Sequence, residues 1–287
     1  MLNQKRASRI RMIARDLVPP ALLAAVRKLK ASSGKATYAN YAEAMAACSK
    51  DGYENHKLVE VVVKKTVSYR DSIAVQPVPV NATNAYSLAA LLLSMVPGKT
   101  IHVLDFGGAA GAHYFLARSI LPEPTELNWV VVETPAMVQR AGLILGNQEL
   151  RFTIDLNEAV RMLGQVDLLH TSGTLQCVPE PYEQLRQLID IQAQYMLFNR
   201  LAVTQGDHEV ITILRSQLSW NGPGPMPDGL HDGETSYPFT FPRESIIREM
   251  IRGSYAEIAE FEDSSGIFPV AAEPIVGMGL LVRSLRS

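Results

Sequence analysis

Apolar and polar positions change their spacing several times along the chain. Between residues 8 and 18, Ile10, Ile13, Ala14 and Leu17 recur at helical spacing with arginines between them. This predicts a basic amphipathic helix that Pro19-Pro20 ends. A second short helix over 21–30 and a Ser32-Ser33-Gly34-Lys35 linker follow. Residues 36–98 read as helices and loops. The helices are placed at 41–49 and 53–67, although Val61-Val62-Val63 suits a strand equally well. The stretch 66–82 reads as irregular around Pro77 and Pro79. An apolar helix over 85–95 is introduced by cap residues among Asn81 to Asn84 and ended by Pro97-Gly98.

From residue 100 short apolar runs alternate with helical stretches. Strands are expected at 101–106, 129–132, 150–154, 166–170 and 194–198, and helices at 112–120, 135–145, 157–163 and 180–191. Such alternation with short connections predicts an α/β fold, a mostly parallel sheet with helices on both faces. Residues 210–218 suit helix or strand. The pattern then breaks over 219–241, where Gly222, Pro223, Gly224, Pro225, Pro227, Gly229, Gly233 and Pro238 accompany Trp220, Tyr237, Phe239 and Phe241. A long loop covering an acceptor pocket is expected there. A helix over 242–253 and strands at 255–261 and 275–282 follow. Their connection is too short for a helical crossover, so the last strand is expected to be antiparallel. The chain divides into a basic helical arm (1–35), a helical cap (36–98) and an α/β domain (99–287) with an insert at 219–241.

Composition changes this picture in one place. Of 287 residues, 47% are hydrophobic and 20% charged, and the net charge is −2. The arm holds nine Lys or Arg and one acid, a balance of +8, which leaves −10 for the body. An acidic body argues against a nucleic-acid partner. The arm suits peripheral contact with a membrane surface or an acidic protein, or packing on a second subunit of a homodimer. Two distant cysteines, Cys48 and Cys177, provide neither a disulfide framework nor metal-ligand spacing, so no metal is expected and a reducing, cytoplasmic location fits. The chain has no apolar run of transmembrane length, and Pro19-Pro20 breaks the only stretch that resembles a leader.

The candidate chemistry starts at residues 101–114. An apolar strand meets Asp105, then a small-residue loop of Gly107, Gly108, Ala109, Ala110 and Gly111, then a helix. The spacing differs from the Gly-x-Gly-x-x-Gly of dinucleotide sites. An acid two residues before the first glycine would repel phosphate and suits a ligand with a cationic or hydroxyl-bearing tail. Val130-Val131-Val132-Glu133 and Phe152-Thr153-Ile154-Asp155 place acids at two further strand ends. Asp155 could equally cap the helix that follows it.

Val103 to Gly111 resembles the first motif of class I S-adenosylmethionine-dependent methyltransferases, with Ala109 where many members have Gly. Val166 to Tyr182 is similar to their fourth-strand region. More narrowly, the chain resembles putative bacterial methyltransferases associated with polysaccharide or secondary-metabolite genes. The resemblance implies a Rossmann-like, seven-stranded fold and S-adenosyl-L-methionine as cofactor. The cofactor would be held by Asp105, Gly107, Gly108, Ala109, Gly111, Glu133 (ribose hydroxyls), Asp155 (adenine) and Ser172. It also implies methyl transfer to a small-molecule acceptor, with oxygen the expected atom. A hydroxyl acceptor calls for a base, and His170, at the end of the fourth strand, ranks first, with His231, in the Gly/Pro loop, second. His113, one turn into the first helix, lies near the cofactor edge. Two alternatives stay open: the same pocket used for other chemistry, and a non-catalytic partner subunit.

Overall fold

The computed structural model describes residues 36–48, 52–76, 80–263, 270 and 273–286. The basic arm, and the helices expected in it, lie outside the described residues. The described helices are α1 (Tyr41–Ala46), α2 (His56–Val75), α3 (Ala82–Ser94), α4 (Ala112–Ile120), α5 (Pro135–Leu145), α6 (Leu156–Leu163), α7 (Pro181–Asp190) and α8 (Glu244–Arg252). The strands are β1 (Ile101–Phe106), β2 (Leu127–Val132), β3 (Leu150–Thr153), β4 (Leu168–Ser172), β5 (Tyr195–Thr204), β6 (Val210–Gln217), β7 (Glu234–Phe241), β8 (Tyr255–Glu262) and β9 (Ile275–Ser284).

Seven strands form one sheet in the order β3-β2-β1-β4-β5-β9-β8. β1 to β5 run parallel, and β9 runs antiparallel to both of its neighbours. This is the Rossmann-like architecture with a reversed last strand. Successive residues of a strand face opposite sides, so the continuous apolar runs serve two cores. Ile101 and Val103 pack with α2, α3, α4 and α5. Leu104 and Phe106 pack with α6, α7 and α8. The strand order reverses between β1 and β4, which is where open α/β sheets form their ligand crevice.

Two local readings change. α2 continues to Val75, across most of the stretch expected to be irregular. The Asn55 side chain caps it by accepting from the Lys57 and Leu58 amides. Val61, Val62 and Val63 lie inside it and are buried against α4 and α5, so packing outweighs their preference for strand. The helix stops at extended Gln76, as the residue before a proline must. The second change is residues 210–241. β6 and β7 pair antiparallel from Val210↔Phe241 to Gln217↔Glu234 and make a separate two-stranded sheet. The expected loop therefore ends at Gly233. Tyr237, Phe239 and Phe241 are buried and Trp220 is 73% exposed, so the first three are core and only Trp220 is open to solvent. Pro238 sits within β7, which is tolerated because β7 has only β6 beside it.

Candidate active site

The site is assembled at the carboxyl ends of β1, β2, β4 and β5. Asp105 and His170 are register partners on β1 and β4, so their side chains leave the same face of the sheet. Each is 1% exposed. His170 Nδ1 lies 2.9 Å from Asp105 Oδ1, and the Trp129 indole donates to Asp105 Oδ2 at 3.3 Å. Burial would raise the Asp105 pKa, but the charge of His170 and the two neighbouring imidazoles pull it below the usual carboxylate range.

The far side of His170 is closed by α3. Its Nε2 lies 3.0 Å from Ser87 Oγ, which also accepts from Asn199 Nδ2 at 2.8 Å and donates to the Thr83 carbonyl at 3.2 Å. Ser87, His170 and Asp105 thus line up as a nucleophile, base and orienting acid would. Ser87 Oγ is fully engaged, however, and His170 is sealed from solvent. The arrangement works as a polar latch that fixes α3 to the sheet.

His113 is the accessible member of the cluster, with its side chain 20% exposed. Its ring meets that of His170 edge-on at 4.5 Å. His113 Nδ1 lies 3.8 Å from Asp105 Oδ2, beyond hydrogen-bond length, and is a buried nitrogen without a partner among the described residues. Burial, helped by the His170 and Arg200 charges, lowers its pKa against the opposing pull of Asp105. The three side chains bring a carboxylate oxygen and two ring nitrogens within 4.8 Å of one another, donor types that suit a first-row divalent cation.

The glycine loop is shaped by its backbone. Gly107, Ala109 and Gly111 have φ of +72°, +50° and +80°. A Cβ on Gly107 would fall 2.0 Å from Thr174 Oγ1, and one on Gly108 would fall 2.4 Å from Asp105 Oδ2. The loop therefore needs hydrogen at both positions. Ala109 bears the left-handed conformation with a side chain, at an expense on the order of 1–2 kcal/mol. Glu133, half-buried at the end of β2, closes the loop: its Oε1 accepts from the Ala109 amide at 3.2 Å and its Oε2 from the Thr134 amide at 2.7 Å. Burial raises its pKa and these two amides moderate the rise.

The remaining sequence candidates fall in different places. Asp155 is exposed and caps α6 by accepting from the Glu158 amide at 2.6 Å. Ser172 is buried and accepts through Oγ from Arg200 Nε at 2.9 Å. His231 is exposed in the connection before β7 and makes none of the contacts that join Asp105, His113 and His170. Cys177 lies against Tyr53 and the Gly173 carbonyl, and burial pushes its thiol up to about 12, so it stays protonated. The Tyr53 ring packs tilted by 33° on that of Tyr237, with centroids 4.1 Å apart, which ties the turn at Gly52–Glu54 to β7.

Sequence reasoning missed Ser87, Asn199 and Arg200. Arg200 carried one usable signal, a charge in the middle of the apolar run of β5. Ser87 and Asn199 carried none, because their role comes from where α3 lies on the sheet.

The chain is similar in fold to solved methyltransferases. The N-terminal domain of EvdMO1, solved with S-adenosylhomocysteine bound, is 16% identical with a TM-score of 0.43, covering 71% of this chain and 82% of that one. A S-adenosylmethionine-dependent methyltransferase from Clostridium acetobutylicum ATCC 824 is 11% identical with a TM-score of 0.45, covering 77% and 98%. CalS10, an amino pentose methyltransferase from Micromonospora echinaspora, is 12% identical with a TM-score of 0.43, covering 75% and 96%. No family model and no curated protein matches the chain.

Proposed function

We propose that the protein transfers a methyl group from S-adenosyl-L-methionine to an oxygen of a small-molecule acceptor. The observation that carries this is Glu133 at the end of β2. Its carboxylate is held by two backbone amides against a left-handed glycine loop, beside the crevice where the strand order reverses. Each carboxylate oxygen keeps a further lone pair, which suits the two hydroxyls of a ribose. The orphaned His113 Nδ1 fits a polar ligand in the crevice.

The cofactor supplies an electrophilic methyl group, and the chain's residues must then align the acceptor and take up its proton. His113 suits that second task better than His170. It is the less buried of the pair, with its side chain 20% exposed, and burial lowers its pKa, which favours the neutral ring. His170 and Asp105 are positioning residues: their mutual bond holds the end of β1 and thereby the loop. The engagement of Asp105 by His170 and Trp129 turns its expected cofactor contact into support from beneath. Asp155 can still meet an adenine amino group through whatever acceptor capacity its helix cap leaves.

A second reading, in which the pocket serves other chemistry or none, is favoured by the burial of Asp105. Titration calorimetry tests the shared cofactor pocket, and product formed without a gained methyl group separates other chemistry from methyl transfer. The methyl-transfer reading expects S-adenosylhomocysteine to bind the purified protein and Glu133→Ala to weaken it strongly. No affinity in the wild type would remove it.

A further inference from the structure

Arg200 stands where β5 loses register. Its pairing with β9 slips between Phe198 and Leu201, and inside the slip Arg200 has φ of +50°. That left-handed backbone is held from both sides. The Arg200 amide donates to Asp263 Oδ2 at 3.1 Å, and its carbonyl accepts from Gln176 Nε2 at 2.5 Å. As a result Asn199 and Leu201 are buried while Arg200 between them is exposed.

The guanidinium folds back over the carboxyl end of β4. Nε donates to Ser172 Oγ at 2.9 Å and Nη2 to the Ser172 carbonyl at 2.7 Å. Its central carbon packs at van der Waals distance, 3.4 Å, from where a Cβ of Gly173 would be, and Gly173 itself takes a left-handed φ of +73°. Among the described residues no carboxylate lies at ion-pair distance from it. Among the described residues this fixed cation therefore has no counter-charge, and it sits at the crevice, where its charge acts on the ionisation of His113, Cys177 and Tyr237. Two of the five guanidinium N–H groups are used on Ser172, which leaves an edge that suits a two-oxygen anion.

We propose that Arg200 is an anion receptor, which takes a carboxylate or phosphate of the bound ligand on the N–H groups Ser172 does not use. Because one edge is already anchored, the side chain loses little freedom on binding. The proposal leans on the methyl-transfer reading only for the source of the anion: the carboxylate of the cofactor's amino-acid tail, or an acidic group on the acceptor.

Calorimetry on the wild type, Arg200→Gln and Arg200→Lys distinguishes these, with thermal melts reporting that each variant is folded. The probes are S-adenosylhomocysteine, 5′-methylthioadenosine (the same nucleoside without the carboxylate) and inorganic phosphate, the last with and without S-adenosylhomocysteine. If the cofactor supplies the anion, Arg200→Gln weakens S-adenosylhomocysteine by roughly 10–100-fold and leaves 5′-methylthioadenosine unchanged. If the acceptor supplies it, the variant spares both nucleosides and loses phosphate binding. A folded Arg200→Gln that leaves all three probes unchanged overturns the proposal and makes Arg200 a clamp on Ser172. Should Gln fail to fold, Lys decides, since it lacks the fork, and an unchanged Lys variant counts against the proposal. A wild type that binds phosphate through Arg200 but neither nucleoside would sink the methyl-transfer reading and keep the anion site. A wild type that binds none of the probes would overturn both.

Discussion

Ser87 Oγ on α3 and His170 Nε2 on β4 lie 3.0 Å apart, and this contact joins α3 to the centre of the sheet. On its other side His170 meets Asp105, so three elements share one polar chain. Ser87→Ala removes the hydroxyl, which leaves Asn199 Nδ2 with the Thr83 carbonyl at 3.2 Å and His170 Nε2 with only a long 3.5 Å approach from Asn199. A loss of about 1–3 kcal/mol in urea denaturation is expected. Affinity for S-adenosylhomocysteine is expected to stay within about threefold, since Ser87 holds α3 on the sheet. A variant as stable as the wild type would deny the latch.

Ala109 makes the opposite prediction. Its φ of +50° is a conformation that glycine adopts freely. Ala109→Gly should stabilise the protein by about 1 kcal/mol at equilibrium, the strain relieved less the entropy glycine adds to the unfolded chain. If the variant is destabilised instead, the methyl group packs too well for strain to matter.

Much of the fold was legible because strand periodicity is local. Ile101 to Phe106 announces a buried strand, and Gly107 to Gly111 a turn that side chains would block. β7 was hidden because Gly222 to Gly233 and Pro238 give its neighbourhood the composition of a loop, while its partner strand β6 read ambiguously. The placement of Glu133 after β2 and of the glycines after β1 was legible, because both follow from their own strand ends. The site was not legible at His170, since the pairing of residues 105 and 170 is a property of the folded sheet. Arg200 owes its exposure to a register slip that no spacing in the sequence announces.

Glu133 should be the most sensitive position for cofactor binding. Glu133→Gln keeps its shape but replaces one accepting oxygen with a donor. Charged hydrogen bonds of this kind are worth about 1.5–3 kcal/mol, so the dissociation constant for S-adenosylhomocysteine is expected to rise roughly 10–100-fold in calorimetry. An unchanged constant would remove the ribose role.

His113 should leave a mark on the pH dependence of stability. Asp105, His170 and Arg200 face it, and burial lowers its pKa in the folded state. Below the unfolded value of about 6.5 the unfolded chain takes up a proton that the folded chain refuses. The contribution is therefore fully present above that value and is lost as pH falls through the window beneath it. In denaturation between pH 5 and 8, the wild type should lose more stability on acidification than His113→Gln. Parallel curves would show that the ring titrates as it does in the unfolded chain.

The placement of β9 has a consequence for how the molecule assembles. β8 pairs with β9 alone, and β9 lies between β8 and β5. Residues 255–262 therefore have no place in the sheet until residues 275–284 arrive, although they come first along the chain. The two therefore enter the sheet together or with β9 first, and either way the flank of β5 stays open until β9 docks. Until then the apolar side chains of β5 are covered on only one flank, and that half-finished edge is where a second, unfolded copy would most readily attach.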